Sequence, residues 1–114
     1  MDFDEYQILT RETDIWHEVD NDELKPQWMY YVLGMAGEMG EFQEKIKKLF
    51  RDRKGEVDIG VKKDLVLELG DILWYMARFC DELEIPFDDI PSLNLAKLMS
   101  RKMRDKLQGG GDNR

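Results

Sequence analysis

The residues of this sequence best suited to chemistry lie in two short acidic stretches, Gly37-Glu38-Met39-Gly40-Glu41 and Glu68-Leu69-Gly70-Asp71. Carboxylates three residues apart on a helix point the same way within about 60°, so each stretch offers a pair of oxygen ligands on one face. Two such helices packed side by side bring four carboxylates together. Like charges grouped in this way repel one another and are costly to desolvate unless a cation sits among them. A ligand set made only of oxygen suits Mg²⁺ or Mn²⁺ better than Zn²⁺. A carboxylate-bridged di-iron centre would normally require two Glu-x-x-His motifs, and the single histidine, His17, falls on another predicted helix. Mg²⁺ keeps several waters and shares its remaining positions with substrate phosphates, which points towards phosphoryl chemistry.

One E-x-x-E in a chain with 25 acidic residues also fits a solvated helix face. The glycines argue for more than that. Gly34, Gly37 and Gly40 fall within one predicted helix, where each costs about 1 kcal/mol relative to Ala. Close approach of another backbone or a ligand is the usual compensation. Gly70 accompanies the second pair, inside the most apolar predicted helix.

Four helices position these groups. Asp2 and Glu5 have the spacing of a capping pair, and Phe3, Tyr6, Leu9, Thr13, Trp16 and Val19 recur at helical spacing to about Asp20. Asn21, Asp22 and Pro26 then read as a loop. A long helix is predicted from Gln27 to about Arg51, with Tyr31, Met35, Met39, Phe42, Ile46, Leu49 and Phe50 as an apolar stripe and a basic far end suited to the helix dipole. Residues 52–60, with Gly55 and Gly60, connect it to a third helix from about Val61 to Glu84. There Leu65, Leu69, Ile72, Leu73, Met76, Phe79, Cys80 and Leu83 make a wide apolar face. Pro86 and Pro91 bracket a turn, and a fourth helix from Leu93 to about Leu107 turns Leu95, Leu98 and Met99 inward. The expected organisation is one domain over residues 1–108 and a glycine-rich tail over 109–114.

Composition narrows the class. A chain of 114 residues, 42% hydrophobic, can build one core. Charged residues reach 37%, which suits helices with solvated outer faces. A net charge of −8 argues against a nucleic-acid polymer as the main partner. Cys80 alone cannot form an intramolecular disulfide, and no stretch approaches the roughly 20 apolar residues of a membrane span. The expectation is a cytoplasmic protein with no membrane partner.

The runs GMAGEMGEFQEKIKKLFRD, ELGDILWYMARFCDEL and NLAKLMSRK, with the ending GGGDNR, resemble the MazG-like nucleoside triphosphate pyrophosphohydrolases of the all-α NTP pyrophosphatase superfamily. The resemblance covers nearly the whole chain. It implies an all-α, four-helix bundle that assembles as a homodimer or homotetramer. It also implies Mg²⁺-dependent hydrolysis of a (deoxy)nucleoside triphosphate to the monophosphate and pyrophosphate, in the service of clearing non-standard nucleotides.

On that resemblance Glu38, Glu41, Glu68 and Asp71 match the metal-binding carboxylates. Glu41 is favoured as the base that takes a proton from water, with Glu38 beside it. Glu44, one step further along the face, is either an outer partner or a solvated residue. Lys97 and Arg101, four apart on the fourth helix, are candidates for the phosphate chain, with Asn94 as a polar contact. Lys48 is a weaker phosphate candidate, since the helix dipole already accounts for the basic end of the second helix. Tyr75 and Tyr31 are candidates to flank the base. Trp28 and Trp74 read as core ahead of the alternative of stacking groups for the base, whereas Trp16 and His17 would close the pocket. The tail, with Arg114, would fold over a substrate site, a neighbour's included. Other readings stay open: the dUTPase-like and phosphoribosyl-ATP pyrophosphatase-like branches of the superfamily, and a non-catalytic helical interaction module.

Overall fold

In a computed structural model of the chain, residues 1–16 and 27–111 are described. The expectations for His17, for a first helix reaching Asp20, for the loop at Asn21, Asp22 and Pro26, and for Arg114 lie outside the described residues. The described elements are all helical. They are α1 (Phe3–Leu9), a 3-10 turn (Thr10–Thr13), α2 (Trp28–Arg53), α3 (Ile59–Glu82) and α4 (Asp89–Met103). The all-α class is as the sequence predicts.

The predicted capping box at α1 forms. Asp2 accepts from the Glu5 amide at 2.8 Å, and Glu5 accepts from the Asp2 amide at 3.0 Å. The helix nevertheless ends at Leu9, well before the predicted limit. The Thr10 hydroxyl donates to the Gln7 carbonyl at 2.6 Å and the Thr13 hydroxyl to the Thr10 carbonyl at 3.2 Å. Such local bonds compete with the α-helical ladder and tighten the chain, and Asp14 then turns extended.

Asp14 has a tertiary task that a helical backbone would not serve. Its carboxylate accepts from the Tyr31 hydroxyl at 2.5 Å and from Arg78 Nε at 2.8 Å, and the Arg78 and Asp14 side chains are 3% and 1% exposed. Arg78 also donates to Asp81 at 2.8 Å, and Arg11 grips the same Asp81 through two nitrogens. A chain of charge-assisted hydrogen bonds therefore fastens the segment after α1 to both long helices.

The hairpin of α2 and α3 turns on Lys54 and Gly55, both with positive φ, and the Gly55 amide returns to the Leu49 carbonyl at 3.1 Å. Asp58 caps α3 by accepting from the Val61 amide at 2.8 Å, so α3 begins ahead of the predicted Val61. At its other end Ala77, Cys80 and Phe87 form a core with Tyr6, Leu73, Met76, Phe79 and Ile85 around them. Gln7 secures this region, donating to the Ile85 carbonyl at 2.8 Å and accepting from the Phe87 amide at 3.2 Å.

The predicted limits of the fourth helix shift. Pro91 sits inside the first turn of α4, where its missing N–H costs nothing, and the helix ends at Met103. Its predicted inward face is also corrected: Leu95 is 61% exposed and Met99 53%. Among the described residues α4 makes no close approach to α1, α2 or α3. The radius of gyration, 17.5 Å, accordingly exceeds the about 13 Å of a compact domain of this length. Among the described residues, no helix is long and apolar enough to cross a membrane.

Candidate metal centre

Along α2, residues 30, 34, 38, 41, 45 and 48 fall within an arc of about 80° on a 3.6-residue helix. They are Tyr30, Gly34, Glu38, Glu41, Lys45 and Lys48. Antiparallel α3 presents Tyr75, Asp71, Glu68 and Asp64 on one face in the reverse order. The seam between the helices therefore reads aromatic, then acidic, then basic.

In its acidic part, one oxygen each from Glu38, Glu41 and Glu68 lie within 4.8 Å of one another. Glu38 and Glu68 are half-buried and Glu41 is exposed. Oε2 of Glu38 and Oε2 of Glu68 are buried and accept no hydrogen bond from protein. Buried carboxylate oxygens without donors are expensive, and a cation coordinated by oxygen is the partner that such a set fits. Burial pushes the Glu38 carboxyl above its usual range, and the neighbouring charges of Glu41, Asp71 and Glu68 push it the same way. Asp71 is exposed and stands outside the tight group, but its charge is felt there.

The existing counter-charge is one that sequence reasoning missed. Lys45 Nζ meets Glu68 Oε1 at 2.6 Å. Its position one turn after Glu41 on the same stripe was the available signal. The hydrogen bond to Glu68 raises the Lys45 pKa above its usual value. Tyr30 was missed as well. It stacks on Trp16 with ring centroids 3.9 Å apart and lies 6.3 Å from Tyr75. Tyr75 is seated over Gly34, and its hydroxyl is held neutral by burial, by Tyr30 and by the charges of Glu38 and Asp71. The aromatic end of the seam thus adjoins the carboxylates.

Several predicted residues sit elsewhere. Tyr31 is corrected from a base-flanking residue to a core residue: it is 0% exposed and its hydroxyl is committed to Asp14. Glu44 pairs with Lys47 at 2.8 Å on the surface, the solvated alternative. Trp28 packs edge-on against Phe79, and Trp74 donates to the Thr13 hydroxyl at 2.8 Å, both as structural groups. Asn94 and Lys97 line a shallow cleft with Ile90 and Leu93 on α4, a helix that does not approach the acidic cluster within one chain. Arg101 is 3% exposed and donates to the Gly111 carbonyl at 3.4 Å, so the start of the tail folds over it. The glycine expectation holds at Gly34. At Gly37, Gly40 and Gly70 a Cβ would meet nothing within 4 Å.

The sequence model of the MazG nucleotide pyrophosphohydrolase domain matches residues 29–104, the span of α2, α3 and α4. The Gene 37 protein of Mycobacterium phage L5 is 38% identical over 114 residues, covering 100% of both chains. No solved structure matches.

Proposed function

Since the chain belongs to the MazG nucleotide pyrophosphohydrolase family, we propose that it hydrolyses (deoxy)nucleoside triphosphates to the monophosphate and pyrophosphate with Mg²⁺, or Mn²⁺, as cofactor. The observation that carries this reading is the carboxylate trio within 4.8 Å, two of whose oxygens are buried without donors. Glu38, Glu68 and Asp71, with Glu41, are the residues to hold the cation. When bound, it supplies positive charge against the phosphate oxygens.

Glu41, the exposed member, would take the proton of the attacking water. The water oxygen bonds to the α-phosphorus while the α–β bridging P–O bond breaks. The bridging oxygen leaves on pyrophosphate with the electron pair, and the proton rests on the Glu41 carboxylate before release to solvent. Tyr75 and Tyr30 provide ring faces and hydroxyls for the base and sugar at the aromatic end. Asn94 and Lys97 would meet the phosphate chain of a neighbouring site, brought there by self-association as a homodimer or homotetramer, and Arg101 would join them only with the tail drawn off its guanidinium. Support for self-association comes from the exposed apolar side chains of α4 (Leu93, Leu95, Met99) and of α3 (Val66, Leu67, Leu69), which one chain leaves uncovered. Arg114 and the rest of the tail would close over the same neighbouring site. A cytoplasmic role in clearing non-standard nucleotides goes with this activity.

The test is a panel of nucleoside triphosphates with Mg²⁺, followed by pyrophosphate release, on the parent protein and on Glu41→Gln and Asp71→Asn. Release from at least one nucleotide, abolished or strongly reduced in both variants, is expected. No turnover on any nucleotide, or turnover indifferent to both substitutions, would favour a non-catalytic interaction module. Release of orthophosphate without pyrophosphate would overturn the cleavage position.

A further inference from the structure

The polarity of the seam carries one step more. At one end of the carboxylates stand Tyr75, Tyr30 and Trp16, and at the other the two helices part into a cleft lined by Lys45, Lys48, Leu49, Asp52, Arg53, Val61, Asp64 and Leu65. We propose, resting on the reading above, that this cleft seats the pyrophosphate leaving group, with Lys48 as its contacting residue and Lys45 at its junction with the metal centre.

Charge and geometry support the assignment. Leu49, Val61 and Leu65 wall the cleft with apolar surface, so an ionic contact made inside it is shielded from bulk water on that side. Of its two acids, Asp52 is paired with Arg51 at 2.7 Å, and Asp64 is exposed with its charge acting on Lys45. Arg53 is turned to Asp58. Lys48 acts on the charges of Glu44 and Asp52 from a distance but makes no ion pair with a described residue, so its ammonium can turn to an anion in the cleft. The seven residue steps from Glu41 to Lys48 span about 10 Å of helix on one stripe. A triphosphate with its α-phosphorus at Glu41 and its base at Tyr75 extends its far phosphates along that span. Lysine is suited to this task as a mobile point charge against a group whose negative charge grows as the bridging bond breaks. Lys45 already spends its charge on Glu68 at 2.6 Å, and a cation at the carboxylates would loosen that hold and leave its ammonium to the phosphate side.

Calorimetric titration with inorganic pyrophosphate in the presence of Mg²⁺ tests the assignment on the parent protein, Lys48→Gln, Lys48→Arg and Lys97→Gln. Losing one charge-assisted contact should weaken pyrophosphate binding by roughly tenfold in Lys48→Gln, and Lys48→Arg should restore most of it. Product inhibition by pyrophosphate should weaken in proportion while inhibition by the nucleoside monophosphate does not change. An unchanged pyrophosphate affinity in Lys48→Gln overturns the proposal, as does a loss confined to Lys97→Gln or an equal loss of monophosphate inhibition. Turnover is followed on the same variants, so that absence of hydrolysis would count against the activity and an unaltered pyrophosphate affinity against the cleft.

Discussion

The ring of Tyr75 on α3 occupies the space in which a Cβ on residue 34 of α2 would stand, with its Cε1 edge directed at that position. Gly34 therefore allows the aromatic end of the seam to close. The helix accepts the propensity cost of glycine there because a flat ring packs against bare backbone.

Gly34→Ala should displace that ring. Overpacking costs typically about 1–3 kcal/mol, against about 1 kcal/mol gained in helix propensity, so a modest net loss of stability is expected. Nucleotide affinity should fall with it. Thermal unfolding and nucleotide titration check this, and in a Tyr75→Ala background Gly34→Ala should no longer destabilise, because the ring it displaces is gone. A Gly34→Ala protein as stable and as avid as the parent would contradict the packing described.

Gly40 is the opposite case, since a Cβ there meets nothing within 4 Å. Gly40→Ala should stabilise an isolated chain by about 1 kcal/mol. If instead denaturant unfolding shows a loss together with dissociation of an oligomer, the open side of α2 is covered by another copy.

Neutralising Glu38 should relieve repulsion that the metal-free protein carries. Its carboxyl is pushed up by burial first and then by Glu41, Asp71 and Glu68. A raised carboxyl pKa means that stability falls as pH rises from the ordinary value towards the folded one. Glu38→Gln should therefore melt higher than the parent without divalent ions at neutral pH, and should lose most of the melting shift that Mg²⁺ gives the parent. Lower stability of the metal-free variant would show that the carboxylates do not repel as described.

Breaking the buried pair from one side should be severe. Asp14→Ala leaves the Arg78 guanidinium, 3% exposed, with Asp81 as its one remaining carboxylate among the described residues. Because that partner stays, the loss should fall towards the lower end of the about 3–5 kcal/mol that breaking a buried pair costs. Replacing both residues with apolar ones should cost less than the sum of the single changes, which a double-mutant cycle in denaturant would measure.

Acid should release the same network. Hydrogen bonds from Arg11 and then Arg78 hold the Asp81 carboxyl below the ordinary 3.8 of an aspartate. For a depressed carboxyl the stabilisation is full above the ordinary pKa and is lost as pH falls through the folded value. The parent should lose stability below about pH 4, and Asp81→Asn should be less stable at neutral pH with a flatter acid limb. Equal acid limbs in the two proteins would exclude Asp81 from this role.

The amino-acid sequence alone determined the local layer of this protein. The 3.6-residue periodicity located α2 and α3, the Asp2 and Glu5 spacing placed the first cap, and the acidic pairs at 38/41 and 68/71 defined a face. These are properties of neighbours along the chain, so they are readable without knowing what the helices touch. The family resemblance was legible for the same reason, being carried by contiguous runs.

What the tertiary structure decided is which groups on those faces are covered and which remain available. Tyr31 lies almost in line with Glu38 on α2, yet Asp14, from a segment that leaves the helix, takes its hydroxyl into the core. Lys45 reads as one charge in a basic run until α3 brings Glu68 to 2.6 Å. The apolar positions of α4 read as an inward stripe, but the turn fastened by Gln7 directs that helix away from the other three. Periodicity specifies a face, whereas burial depends on long-range partners whose arrival no spacing along the chain records.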